Sequence, residues 1–154
     1  MVCLLGLSLA LLSTGCMTSP GHNQWIDDES DPVQFSGFLL DGNEWVKIQA
    51  KHPTNGWTTI GWTKSGTTSY HWSDSDWYSW NKSIVIPASY WTYGGSGYTK
   101  AEVRAIQYSN NQNLATFENG FSGYWDYTET LGDLWMDHGH GNSVTIYAGY
   151  PVIY

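Results

Sequence analysis

From Val33 onward, apolar and polar residues alternate in short runs separated by turn formers. Glu44 to Lys51 is the cleanest run. Val46, Ile48 and Ala50 fall on one side and Lys47, Gln49 and Lys51 on the other, which is the period of two that a half-buried strand imposes. Gln34 to Leu40 reads as the strand before it, closed by the turn Asp41-Gly42-Asn43. Trp57 to Thr63 reads as the strand after it, entered through Pro53-Thr54-Asn55-Gly56. Ser69 to Trp72, Ser79 to Ile86, Tyr90 to Tyr93 and Ser143 to Ala148 continue the series. Strands of this length at this spacing predict an all-β fold, an antiparallel β-sandwich.

Thr99 to Tyr108 admits two readings. Thr99-Lys100-Ala101-Glu102 fits a helix capping box, with Ala101, Ala105 and Tyr108 on one helical face. As a strand, the segment turns Ala101, Val103 and Ala105 inward and Glu102 and Arg104 outward, then returns through Leu114 to Glu118 after the turn Ser109-Asn110-Asn111. The strand is the preferred reading. The hairpin Val46–Ala50, Asn55, Thr58-Thr59-Ile60 is then echoed by Val103–Gln107, a turn of asparagines, and Leu114–Phe117. One early and one late hairpin of this kind resemble the paired hairpins of immunoglobulin-like and fibronectin type III sandwiches. The resemblance covers roughly half the domain and implies architecture only.

The N-terminus follows a different pattern. Val2 to Leu12 is a continuous apolar run closed by Ser13-Thr14-Gly15-Cys16. It is far short of the roughly 20 apolar residues that a spanning helix needs and has the length of a signal-peptide core. The segment resembles a bacterial lipoprotein signal, whose lipobox ends in Gly-Cys and whose cysteine becomes the diacylated first residue. Ser13 and Gly15 equally satisfy an ordinary small-x-small cleavage site, and an uncleaved anchor is a third reading. Either cleavage releases a chain that begins at Cys16 and removes Cys3, so Cys16 is the sole remaining thiol and no intramolecular disulfide can form. A lone exposed thiol is a liability in an exported protein, whereas a lipid-modified one has a use. The resemblance therefore implies a signal peptide over 1–15, a lipid on Cys16 that holds the protein to the membrane, and a place in the bacterial cell envelope outside the cytoplasm. Met17, rather than an Asp, after the cysteine points to the outer membrane if the cell is Gram-negative. Residues 16–32 include Asp27-Asp28-Glu29-Ser30-Asp31-Pro32 and lack apolar periodicity, which predicts a solvated acidic tether before a single domain over 33–154.

Composition narrows the function. Six basic against 14 acidic residues give a formal net charge of −8 over 154 residues. That sign argues against a nucleic-acid partner, whose phosphates call for Lys and Arg, and against electrostatic docking on anionic lipid. Ten Trp, 11 Tyr and four Phe are more rings than one small core hides, since each buries roughly 150–250 Å². Rings left outside, among few charges, suit a surface that stacks on something flat and neutral.

Candidate chemistry is sparse. His138 and His140, beside Asp137, would lie about 7 Å apart on one strand face. No distant ligand set completes a metal site, so a Gly-rich loop with solvated histidines is expected. Asp74-Ser75-Asp76 opens like a calcium loop but has Tyr78 where an oxygen ligand belongs, so it reads as a hairpin tip. Gly94 to Tyr98 misses the nucleophile-elbow pattern, and His52, His71 and His138 have no HExxH context. Glu118, Asp126 and Glu129 cannot be paired from sequence. No catalytic residue, metal or cofactor is expected.

The aromatic segment from Trp57 to Tyr98 carries the binding expectation. Tyr70 and Trp72 share one strand face and Tyr78 and Trp80 another, with Trp77 and Trp91 close by in sequence. Sugar rings pack their C–H faces on indole and phenol, so Trp72, Trp77, Trp80 and Trp91, with Tyr70 and Tyr78, are the candidate ligand rings. The competing reading is that these good strand formers fill a two-layer core. The expected protein is a membrane-anchored lipoprotein with a non-catalytic domain that binds polysaccharide. The alternative is a structural module that contacts another envelope protein.

Overall fold

The alternating runs assemble into two sheets. The structure, a computed structural model, describes residues 15–72, 74–108, 130–133, 135–136 and 143–153. Within them run β1 (Gly15–Ser19), β2 (Gln24–Ile26), β3 (Val33–Leu39), β4 (Trp45–His52), β5 (Gly56–Lys64), β6 (Tyr70–Trp72) and β7 (Ser75–Ile84). A 3₁₀ turn at Ala88–Tyr90 leads to β8 (Thr92–Gly95), β9 (Tyr98–Tyr108), β10 (Thr130–Asp133), β11 (Trp135–Met136) and β12 (Val144–Gly149). One sheet is ordered β11-β1-β3-β7-β6 and the other β2-β12-β9-β4-β5, with β8 and β10 also paired to β9. Neighbours are antiparallel except for the parallel pairs β1–β11 and β2–β12. The fold is all-β and sandwich-like, as the alternation predicts.

The core lies between the sheets and is filled by every second residue of the strands. Val33, Phe35 and Leu39 of β3 and Trp80 and Ile84 of β7 come from one side. Val46, Ile48 and Ala50 of β4, Ala101, Val103 and Ala105 of β9 and Val144, Ile146 and Ala148 of β12 come from the other. Gly37, opposite Trp80 in the β3–β7 register, makes room for the indole, since a Cβ there would stand 2.6 Å from the Trp80 ring.

Thr99 to Tyr108 is strand, within β9. The capping box loses because Ala101, Val103 and Ala105 gain burial only in the extended form, and Thr99 Oγ1 donates to Glu29 Oε1 at 2.7 Å rather than capping a helix. The two segments of the sequence echo become direct neighbours, Val46–Ala50 pairing antiparallel with Val103–Gln107. The expected return strand Leu114–Glu118 lies outside the described residues. Two smaller expectations shift: β7 begins at Ser75 instead of Ser79, and Tyr90–Tyr93 divides between the 3₁₀ turn and β8.

The tether expected over 16–32 is corrected. β1 sits between β11 and β3, and β2 joins the opposite sheet beside β12. Sequence periodicity could not reveal this, because β2 is only three residues long and takes its partner from the far end of the chain. The acidic run remains outside the strands but is ordered. Ser30 donates its N–H and its hydroxyl to Asp28 Oδ1, at 2.8 and 2.6 Å.

A β-bulge sets the outer face of the larger sheet. The β4–β5 register shifts between Ile48 and Gln49, leaving Ile60 as the extra residue. Trp57 and Trp62 are five apart and would otherwise point to opposite faces; the bulge returns both to the outer one, opposite Lys51 and Lys47. Lys47 and Gln49 do face outward, as the alternation predicts, yet both are buried there. Lys47 lies beside the Trp62 ring, 5.7 Å from its centroid, and Gln49 accepts a bond from Arg104 Nε at 2.8 Å.

Candidate functional site

The six nominated rings do not form one surface. Trp80 is 1% exposed and Trp91 8%, and both belong to the core between the sheets. Trp77 is 7% exposed, and its indole N–H donates to the Trp72 carbonyl at 3.2 Å. Trp80 and Trp91 are corrected to residues of the core between the sheets, in line with the competing reading, and Trp77 is buried outside that cluster. On β7, Trp80 and Ile84 share the inward face, whereas Trp77 has the opposite parity and is buried on the other face of the strand. Tyr70 stays 55% exposed on the short edge strand β6, and Trp72 and Tyr78 are half-buried. Tyr78 rests against Gly42, where a Cβ would come within 2.7 Å of its ring. Asp74 adopts a left-handed conformation, φ 62°, at the tip of the β6–β7 hairpin, consistent with its expected role as a turn former.

A different aromatic group stands on the outer face of the larger sheet. β2, β12 and β9 bring Trp25, Tyr147 and Tyr98 together from three distant parts of the chain. The Trp25 and Tyr147 rings stack with centroids 4.8 Å apart and planes inclined by 21°. Tyr98 meets both, at 5.0 Å from Trp25 and 5.8 Å from Tyr147. Trp25 remains 44% exposed, and the two tyrosines are half-buried. The geometry follows from register. With Ile146 and Ala148 buried, Tyr147 must face outward, and it lies directly opposite Trp25 on one side and Lys100 on the other.

A groove adjoins each tyrosine of the cluster. One, of about 420 Å³, is lined by Asp27, Asp28, Glu29, Tyr93, Tyr98 and Thr99 together with Gly95, Gly97, Ala148 and Gly149. Gly97 and Gly149 have φ of 87° and 104°, and a Cβ on Gly149 would come within 3.2 Å of Tyr98 Cα, so this close approach of strands requires glycine. The other groove, of about 280 Å³, runs beside Tyr147 over Lys51, His52, Tyr90, Thr92, Lys100, Glu102 and Thr145. Lys51 and Glu102 form an ion pair at 3.6 Å across its floor, and Ser143 Oγ donates to Glu102 at 2.7 Å.

Electrostatics differ between the two grooves. In the first, hydrogen bonds from the Ser30 side chain and backbone hold the Asp28 carboxyl below its usual value. The Tyr150 hydroxyl, donating to Asp27, is raised above its ordinary range by that bond and by the negative charge. The second groove carries Lys51 and Lys100. Among the described residues no group of three His, Cys, Asp or Glu is placed to hold a metal ion. His138 and His140, with Asp137, lie outside the described residues, as do Glu118, Asp126 and Glu129.

Cys16 lies in β1, opposite Phe38 and Trp135, with 1% of its surface exposed. It is disulfide-bonded rather than a free thiol.

Sequence reasoning missed the platform for two reasons. Tyr147 was readable, since Val144 and Ile146 inward imply Thr145 and Tyr147 outward. Trp25 was hidden in the segment taken as a tether, and nothing local indicates its parallel pairing with β12. No protein-family model matches this chain, and a comparison with curated proteins finds no relative.

Proposed function

We propose that this protein is an exported, non-catalytic binding domain of the bacterial cell envelope whose ligand is a glycan, held on the platform of Trp25, Tyr147 and Tyr98. One observation carries the reading: three rings on one sheet face, two of them nearly parallel, beside open grooves lined by hydrogen-bonding side chains. Indole and phenol faces give a pyranose an apolar surface, and Asp, Thr, Tyr and Lys groups around them suit its hydroxyls. The test is retention on insoluble polysaccharides. Trp25→Ala and Tyr147→Ala are expected to abolish retention while leaving the melting temperature within a few degrees of the parent. Unchanged retention by both variants sinks the proposal.

The scaffold reading keeps one specific support, the burial of Trp77, Trp80 and Trp91, which spends three rings on stability. It is favoured if no glycan is retained and a cell-envelope protein is instead captured in a Trp25-dependent manner.

Export rests on the apolar run that ends in Gly15-Cys16. Anchoring by a lipid on Cys16 carries a structural requirement. A residue buried inside β1 has no route for an acyl group, so a lipidated Cys16 must leave the strand. Intact mass of protein extracted from bacterial membranes tests this. A chain beginning at Cys16 with a diacylglyceryl addition supports anchoring, and an unmodified Cys16 in soluble protein overturns it.

A further inference from the structure

The charges of this protein are segregated. Of its six basic residues, Lys47, Lys51, Lys64, Lys100 and Arg104 all lie on the strands β4, β5 and β9, and only Lys82 belongs to the other sheet. By register they occupy the outer face, alternating with aromatic rings. Lys64 is opposite Trp45, Lys47 opposite Trp62 and Lys51 opposite Trp57. A chain with net charge −8 thus gathers nearly all of its cations on one face. Random placement of surface charge for solubility does not call for that.

One row of this face runs through the platform. Trp25 of β2 pairs with Tyr147 of β12, Tyr147 with Lys100 of β9, and Lys100 with Thr92 of β8. At the usual strand spacing the row spans roughly 14 Å, room for two to three pyranose units. It begins with stacked rings, passes the exposed ammonium of Lys100 and ends at Thr92. Lys51, exposed on β4 and paired with Glu102 at 3.6 Å, lines the same groove as Lys100. The opposite flank of the platform is lined by Asp27, Asp28 and Glu29. Acidic side chains therefore crowd the Tyr98 side, whereas on the Tyr147 side two lysines outnumber the one carboxylate, Glu102, and an anionic ligand is favoured there.

We infer that the glycan is acidic: its pyranose rings stack on Trp25 and Tyr147, and its carboxylate or sulfate groups meet Lys100 and Lys51. The inference rests on the glycan reading and adds the substrate class to it. The overall negative charge slows the approach of such a polymer, but contact at this face is governed by the local cations, because exposed charges beyond about 8–10 Å are screened at physiological salt.

Two pairs of probes, each matched in backbone and differing in charge, test it by affinity electrophoresis and calorimetry. The first pair is polygalacturonate and its methyl ester; the second is dextran sulfate and dextran. Expected is preference for the charged member of at least one pair, the pair identifying carboxylate or sulfate as the recognised group. Binding should weaken on raising salt from 50 to 300 mM, and Lys100→Gln should weaken it about tenfold, as for loss of one charge-assisted hydrogen bond. Trp25→Ala should abolish it. If neutral members bind as tightly as charged ones, with Trp25 still required, the inference fails and the glycan reading stands. If charged polymers bind without any dependence on Trp25, the interaction is ionic adsorption and both fail. Binding to neither pair likewise overturns the inference. Lys82→Gln, on the other sheet, is the control and should leave the affinity unchanged.

Discussion

Arg104 on β9 lies over the ring of Trp57 on β5, reaching diagonally across β4, with its guanidinium carbon 4.2 Å from the ring centroid. Its Nε also donates to Gln49 on the strand between them, so one side chain ties three strands together on the solvent side. Arg104→Ala is expected to lower stability by about 1–2 kcal/mol, from the lost cation–π contact and hydrogen bond. Arg104→Lys should recover less than half of that, because an ammonium on a flexible stem lacks the planar fork. Urea denaturation with an unchanged slope measures both. A lysine variant with the parental midpoint would show that charge alone matters there.

Trp80 and Gly37 form a size-matched pair inside the sandwich. Trp80→Ala should cost about 3–5 kcal/mol, as for other large-to-small core changes. Gly37→Ala adds a single methyl group, yet it should also destabilise, since that carbon would press on the indole and on the Cys16 carbonyl. In a Trp80→Leu background the Gly37→Ala penalty should shrink, because the indole half of the clash is gone. A double-mutant cycle reads the coupling. Tyr70→Ala, at the exposed edge strand, should stay within about 0.5 kcal/mol of the parent.

Glu44 introduces a pH dependence of defined sign. Burial lifts its carboxyl above the ordinary value of 4.5, Asp41 adds to the rise and Lys64 opposes it. Its Oε2 has no hydrogen-bond partner among the described residues. Between 4.5 and the raised value the folded protein holds more protons than the unfolded chain, so stability falls as pH rises through that window. Glu44→Gln should raise the melting temperature at pH 7 and flatten the profile in the same window. Asp28 acts oppositely: its lowered value means that its contribution is present at neutral pH and is lost only as the solution becomes strongly acidic. Melts from pH 3 to 8 separate the two, and a Glu44→Gln profile parallel to the parent would contradict the assignment.

Ile60 tests the bulge. Ile60→Ala removes a side chain packed against the core and should cost about 2 kcal/mol. Deleting Ile60 should be far worse. A one-residue slip would turn Trp62 and Lys64 toward the core and leave their partners Lys47 and Trp45 unmatched. Expected is loss of the cooperative melt by circular dichroism, and a deletion variant no less stable than Ile60→Ala would mean that the register adapts.

Most of the architecture was legible because it depends on local alternation. Val46, Ile48 and Ala50, or Val144, Ile146 and Ala148, announce both a strand and its buried side. The ring positions were not, and the reasons are physical. Trp80 and Tyr70 are both aromatic residues on strands, and only the position of the strand in its sheet makes one core and the other edge. Trp57 and Trp62 share a face only through a bulge at Ile60, which simple alternation does not show although Gly61 stands beside it. Trp25 depends on a partner more than a hundred residues away, and three residues of strand carry no usable period.

The parallel pairing of β2 with β12 sets an order in time. Tyr147 follows Trp25 by more than a hundred residues, so the stacked pair cannot exist until the chain has been made through β12. Contacts of such long sequence separation also form late in folding, after the local hairpins have closed. The platform thus depends on both ends of this sheet: a chain interrupted before β12 lacks Tyr147 and displays no stacked ring pair.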